Sequence, residues 1–181
     1  MSEREDDARS EAPEGVVLRR GIAVCPGTYD PVTYGHLDII TRAARVFERV
    51  IVAVVNKPVR KGSKTLFSTQ ERMEFIRAEV NSLENVEIKS FDNLLVKFAR
   101  DNGATALVKG LRAISDFEYE LEMNQLNRTM DPEIESIYFM SSPNYSFLSS
   151  SGVKELAMFG GDLSQLVPAQ VAERLKEELQ R

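Results

Sequence analysis

Apolar and polar positions fall in blocks along this chain, and the blocks change period. Val50–Asn56 reads VIVAVVN, a continuous β-branched run that suits a strand buried on both faces. Shorter apolar runs at Gly21–Cys25, Val86–Ser90, Thr105–Lys109 and Ile134–Met140 predict four more strands. Between them the period lengthens, and helices are expected over 36–47, 69–82, 94–102, 116–129 and 149–159. A last helix is expected to open on Pro168 and run to about Leu179. In the second helix Met73, Ile76, Val80 and Leu83 share one face. Ser68-Thr69-Gln70-Glu71 and Ser115-Asp116-Phe117-Glu118 have the form of capping boxes at two of these helix starts.

Strands that alternate with single helices imply parallel βαβ units. The fold class expected is α/β, a Rossmann-like doubly wound five-stranded parallel sheet with helices on both faces. In such sheets ligands bind beyond the carboxyl ends of the strands, where strand order reverses. The polar residues can be sorted by that rule. The first strand leads into Cys25-Pro26-Gly27-Thr28-Tyr29-Asp30-Pro31-Val32-Thr33-Tyr34-Gly35-His36, a long strand-to-helix loop that ends in the chain's only histidine. The second leads into Lys57, Arg60, Lys61 and Lys64. The fourth leads into Lys109-Gly110-Leu111-Arg112. The fifth leads into Tyr145-Ser146-Phe147-Leu148-Ser149-Ser150-Ser151, with Lys154 one turn on. Four loops thus place a cationic rim at one sheet edge.

Backbone N–H groups at a helix start suit an anion, and the first loop and Ser149–Ser151 both offer them. Gly110 would let backbone approach a ligand closely. His36 is open between a structural and a functional role on the residues alone. Phe147 is expected in the core, while Tyr145 is open between core packing and stacking on a base.

Composition changes this picture little. The 181 residues suit one domain, and 43% hydrophobic with 28% charged residues is ordinary for a globular chain. Residues 1–18 carry six acidic and two basic side chains, most of the net charge of −5. They are expected to be a disordered acidic tail on a domain at 19–181. The body is close to neutral, so the acidic balance does not argue against an anionic ligand. One cysteine excludes an intrachain disulfide framework and fits a reducing compartment; Cys25 is expected to be a small buried hydrophobe. No apolar run approaches the roughly 18 residues of a membrane span. No nucleic-acid or membrane partner is expected, and the location expected is the cytoplasm.

The patterns that are missing narrow the chemistry. The sequence has no Walker A pattern, no G-x-G-x-x-G after a strand, no Cys/His zinc cluster and no G-x-S-x-G elbow. Chemistry done by positioning and charge stabilisation remains, and phosphoryl and nucleotidyl transfer are of that kind.

Thr33-Tyr34-Gly35-His36 has the T-x-G-H form of the H-x-G-H signature of nucleotidylyltransferases. Ser149-Ser150-Ser151-Gly152-Val153-Lys154 resembles their second signature, a serine-rich helix start followed by a basic residue. Together with Pro26–His36, Lys109–Arg112, Asp116-Phe117-Glu118-Tyr119-Glu120 and Tyr145–Ser151, the chain from about residue 21 to 181 resembles the bacterial phosphopantetheine adenylyltransferases. The resemblance implies a reaction of ATP with 4′-phosphopantetheine that gives dephospho-coenzyme A and pyrophosphate, with Mg²⁺ as cofactor. It implies that His36 stabilises the transition state at the α-phosphorus. Thr28, Leu95, Lys109 and a basic residue, Arg60 or Lys61, would hold the acceptor. Thr28, Tyr29, His36, Gly110, Leu111, Arg112, Glu120, Tyr145, Ser146, Phe147, Leu148, Ser149, Ser150 and Ser151 would hold ATP. No protein ligand to the metal stands out. A homohexamer, built as a dimer of trimers and inhibited by coenzyme A, is also implied. Three features depart from the family pattern: Lys109 stands where many members have Arg, which keeps the charge but loses the bidentate fork, the loop through Lys64 is a few residues longer than usual, and residues before 19 have no counterpart.

Overall fold

The computed structural model describes residues 21–57, 65–112 and 114–180. The tail 1–18 and Arg60, Lys61 and Lys64 lie outside the described residues.

Among the described residues five strands and six helices follow in chain order, alternating up to α5: β1 Ile22–Gly27, α1 Tyr34–Val46, β2 Arg49–Val55, α2 Thr69–Val80, β3 Val86–Phe91, α3 Leu95–Asp101, β4 Ala106–Leu111, α4 Ile114–Met130, β5 Glu135–Met140, α5 Ser150–Met158 and α6 Ala169–Leu179. The strands form one sheet in the order β3-β2-β1-β4-β5, and every described pairing is parallel. The order reverses between β1 and β4. All five carboxyl ends therefore share one edge, with the first loop at the reversal.

Successive side chains of a strand point to opposite faces, and the core divides accordingly. Ala23, Cys25, Val50, Val52, Val54, Ala106 and Val108 pack under α1, α2, α5 and α6. Val24, Ile51, Ala53 and Leu107 pack under α3 on the other face. The β2 run is buried on both sides, which is why it reads as continuous rather than alternating. Cys25 is buried as expected, and burial pushes its thiol up to about 12.

Several boundaries move, each for a local reason. β1 extends through Pro26 and Gly27, which lie opposite Ala53 and Val54. β4 runs two residues past Lys109, because Gly110 and Leu111 still have Phe139 and Met140 as neighbours. α4 then starts at Ile114, two residues before the expected start at Asp116, so Ser115 stands inside the helix rather than ahead of it. The first box is real: Ser68 accepts from the Glu71 N–H, and the Glu71 carboxylate accepts from the Ser68 N–H. Pro168 is the residue before α6 rather than its first. On α2 the buried stripe is Arg72, Phe75, Ile76 and Val80; Met73 and Leu83 only flank it.

Candidate active site

At the start of α1 the T-x-G-H motif turns out to be a capping box with histidine in the third position. The Thr33 Oγ1 accepts from the His36 N–H at 3.4 Å. In return the Thr33 N–H donates to His36 Nδ1 at 3.0 Å. Glu or Gln usually takes this place. The consequence is chemical. With Nδ1 used as acceptor, the proton of a neutral imidazole sits on Nε2, so the ring presents an N–H donor on its far side. This tautomer is assigned from the hydrogen bond. The edge of Tyr29 meets the His36 ring, with centroids 5.1 Å apart and planes at 73°.

At the glycine of the motif the β5–α5 loop comes into ordinary van der Waals range, so packing does not by itself require glycine there. A Cβ on Gly35 would lie 3.5 Å from Tyr145 Cβ and 3.6 Å from the Tyr145 carbonyl. The β5–α5 loop is therefore seated against the first turn of α1. The Tyr34 and Tyr145 rings are 6.4 Å apart. The hydroxyl of Ser150 donates to the Pro31 carbonyl at 2.8 Å and closes the same joint. Ser149 caps α5 by accepting from the Gly152 N–H at 3.0 Å.

The first loop is shaped from within. Tyr29 is buried and has φ of 51°, left-handed for a residue with a side chain. Its ring folds back over Gly27, where a Cβ would meet it at 2.8 Å, and its hydroxyl donates to the Cys25 carbonyl at 2.9 Å. The side chain of Tyr29 thus faces the core, and what it offers a ligand is backbone. Asp30 is also buried. It accepts from the Leu66 and Phe67 N–H groups, both at 3.0 Å, and from Lys154 Nζ at 2.9 Å.

At the end of β4, Lys109 pairs with Glu120 at 2.5 Å, and the Tyr138 hydroxyl donates to the Glu120 carbonyl at 3.1 Å. Arg112 donates to the Leu148 carbonyl at 2.5 Å and pairs with Asp116 at 3.1 Å. The cationic rim expected from the sequence is accordingly much less naked than it looked. Lys109, Arg112 and Lys154 each have a carboxylate partner, while Lys57 stands exposed after β2. Gly110 also has a role unconnected with a ligand: a Cβ there would come within 3.0 Å of Ile39 on α1.

Thr28, Tyr29 and His36 thus meet the β5–α5 loop of Tyr145, Ser146, Phe147, Leu148, Ser149, Ser150 and Ser151 around the sheet reversal. Lys109, Gly110, Leu111, Arg112 and Glu120 join from β4 and α4. Leu148 and Leu111 are buried. Leu95 is half-buried at the start of α3, beyond β3 on the other flank. Phe147 corrects an expectation: it is 70% exposed rather than in the core. It lies in a turn between β5 and α5, and the buried place in that turn is filled by Leu148. Among the described residues no group of three or more His, Cys, Asp or Glu side chains is arranged to hold a metal ion.

Sequence reasoning missed two residues that frame the site. Asp30 lay in the quoted loop without a role. Arg72 is fully buried, and burial pulls its guanidinium down while the charge of Asp30 opposes that. The signal for Arg72 was present: it is a charge on the same stripe as Ile76 and Val80, four and eight residues on.

A doubly wound sheet with a T-x-G-H helix start at its reversal defines a nucleotidylyltransferase, and residues 24–156 match the family model described as Cytidylyltransferase-like. A solved structure from Vibrio parahaemolyticus, described as a candidate nicotinate-nucleotide adenylyltransferase, superposes with a TM-score of 0.62 over 86% of this chain and 91% of that one; at 16% identity it shows the fold alone. The chain is 49% identical over 160 residues to the phosphopantetheine adenylyltransferase of Caldanaerobacter subterraneus subsp. tengcongensis, which covers 88% of this chain and 98% of that protein. It is also 49% identical to the one from Heliobacterium modesticaldum, over 87% of this chain and 92% of that protein. The chain belongs to the phosphopantetheine adenylyltransferase family.

Proposed function

We propose that this protein transfers the adenylyl group of ATP to 4′-phosphopantetheine, giving dephospho-coenzyme A and pyrophosphate, the penultimate step of coenzyme A synthesis. The observation that carries the reading is likeness over almost the whole chain, at 49% identity, to two proteins of that name. The site is consistent with it. An oxygen of the acceptor phosphate attacks the α-phosphorus in line, and the bond from that phosphorus to the bridging oxygen breaks as pyrophosphate leaves. The nucleophile is already an anion, so no protein nucleophile or base is required. Cys25, buried with a raised thiol pKa, supplies none. His36, with Nδ1 engaged by Thr33, directs its Nε2–H to the oxygens on the α-phosphorus, where charge builds in the transition state.

On this reading Thr28, Leu95, Lys109 and Arg60 or Lys61 hold the acceptor. Gly110 to Arg112, Glu120 and Tyr145 to Ser151 surround ATP. The described residues do not fit a resident metal: both oxygens of Asp30 are engaged, and no acidic cluster faces the loop. Mg²⁺ therefore enters with the triphosphate, as part of the substrate.

The assay is pyrophosphate release from ATP with 4′-phosphopantetheine, against CTP and small polyol phosphates as controls. Release is expected with ATP and phosphopantetheine together. No release with that pair would overturn the reading. Added coenzyme A is expected to slow the same assay. Assembly into a hexamer is supported by α4, where Phe117 and Leu121 are exposed on one side and Leu126 and Met130 on the roughly opposite one; a single-chain mass by sedimentation would remove that part. A cytoplasmic location belongs to the same proposal; no helix among the described residues is long and apolar enough to cross a membrane.

A further inference from the structure

Arg72 spends its whole guanidinium on three separate pieces of the site's frame. One Nη donates to the Thr28 carbonyl at 2.6 Å and to the Val55 carbonyl at 2.9 Å. The other donates to Thr69 Oγ1 at 2.9 Å. Nε donates to the Phe67 carbonyl at 3.2 Å. Val55 ends β2 and Phe67 lies just before α2, so Arg72 joins the end of β2 to the approach to α2. Asp30 holds the same Phe67 residue by its N–H, at 3.0 Å. The third tie reaches the first loop, and it has a directional consequence.

The Thr28 carbonyl and the Tyr29 N–H belong to one trans peptide, so they point in opposite directions. Drawing the carbonyl inward to a buried guanidinium turns the N–H outward. Among the described residues that N–H has no acceptor. Tyr29 is also the described residue other than glycine that has a positive φ, 51°. A left-handed residue of this size is strained and persists only where its surroundings over-determine it. Here two bonds do so: Arg72 to the Thr28 carbonyl, and the Tyr29 hydroxyl to the Cys25 carbonyl.

We propose that Arg72 is a positioning residue, which pins the Thr28–Tyr29 peptide so that the Tyr29 N–H is aimed at a ligand phosphate, and couples that peptide to the end of β2 and the start of α2. Arginine is required because four acceptors lie around one planar fork. A lysine ammonium in the same place has three donors on a single atom and cannot span them. The proposal rests on reading the first loop as a phosphate cradle.

The test uses the full chain labelled with ¹⁵N-tyrosine. It has five tyrosine amides, and the Tyr29 signal is assigned by its loss in Tyr29→Phe. The probe is the non-transferable α,β-methylene analogue of ATP. In the wild type the Tyr29 amide is expected to move downfield as the analogue binds. In Arg72→Lys the movement is expected to fall to less than a third, with kcat/KM down at least about tenfold at unchanged far-ultraviolet circular dichroism. An arginine that served stability alone would leave the shift of a folded variant intact. A wild-type amide that does not respond overturns the cradle reading. A wild-type response that Arg72→Lys reproduces in full overturns the role of Arg72 alone. Should Arg72→Lys fail to fold, Thr69→Val removes one acceptor of the fork and leaves its three backbone partners. It is expected to reduce the Tyr29 shift and to lower kcat/KM two- to threefold, and no change in either would overturn the proposal.

Discussion

At position 36 the helix needs an acceptor and the reaction needs a donor, and one imidazole has both. Nδ1 takes the Thr33 N–H, as the carboxylate or amide of an ordinary capping box would. Nε2–H is what glutamate lacks. The two roles separate by substitution. His36→Glu keeps an acceptor at the usual capping-box position and carries no donor. It is expected to unfold within about 2 °C of the wild type, while kcat falls at least about 10²-fold, the scale of losing one transition-state donor. His36→Ala loses the cap as well and is expected to cost about 1 kcal/mol of stability besides. Thermal melts and turnover of both variants check this. A His36→Glu enzyme within tenfold of wild-type kcat would reduce His36 to a cap. The sequence showed the motif but not this double use, because T-x-G-H does not match the S/T-x-x-E/Q form by which capping boxes are recognised. Arg72 was missed for a different reason. Its place on the apolar stripe of α2 signalled burial, but nothing local announces the Thr28 and Val55 carbonyls that arrive from elsewhere in the fold.

Among the elements, β4 and α1 show how a site is held by an ordinary packing contact. From the sequence Lys109 reads as the last residue of a strand and Gly110 as part of the loop beyond it, open to a ligand. They are in the sheet, opposite Tyr138 and Phe139, because the neighbouring strand continues to offer partners. Strand ends are set by that neighbour, which local sequence does not contain. Gly110 is then read differently. Its missing side chain is the space that Ile39 of α1 fills, with Cγ1 3.0 Å and Cδ1 3.3 Å from where a Cβ would stand. Ile39 is buried and α1 carries His36, so α1 has little room to give. Gly110→Ala is expected to destabilise by about 1–3 kcal/mol, the usual range for an overpacked core. It should also lower kcat/KM by displacing the start of α1. Urea midpoints and steady-state kinetics read the two effects. An unchanged midpoint would mean that Ile39 swings aside and that this glycine serves the ligand instead. Phe147 belongs at the same scale. An aromatic between two strand-like and helix-like blocks reads as core, yet the turn that holds it has one inward place, and Leu148 has it.

For the molecule as a whole, the alternation of apolar blocks was enough to give five strands, their parallel sense and the edge where the loops meet. It could not give the long-range ties that fix the loops: Lys154 on Asp30, Ser150 on Pro31 and Arg112 on Leu148. Ion pairs between distant elements also set the acid limit of the fold. Arg100 of α3 holds Asp131, just after α4, at 2.6 Å. That hydrogen bond, chiefly, keeps the Asp131 carboxyl below its usual range, helped by the Glu133 N–H. Arg174 of α6 holds Glu71 of α2 at 2.9 Å and, with Ser68, lowers the Glu71 carboxyl likewise. Both shifts have the same sign. A carboxyl with a depressed folded-state pKa binds fewer protons folded than unfolded. Its contribution is present above the unfolded value, about 4, and is lost as pH falls through the lowered folded value. Stability is therefore expected to be flat from pH 7 to about 5 as far as these two groups are concerned, and to drop below about 4. Arg100→Gln removes one of the two partners and so should fall less steeply. The check is the urea midpoint of wild type and Arg100→Gln at pH 7, 5, 4 and 3, at one fixed chain concentration so that assembly does not enter the comparison. Wild-type and variant curves that stay parallel through the acid limb would mean that the α3–α4 pair contributes nothing to it.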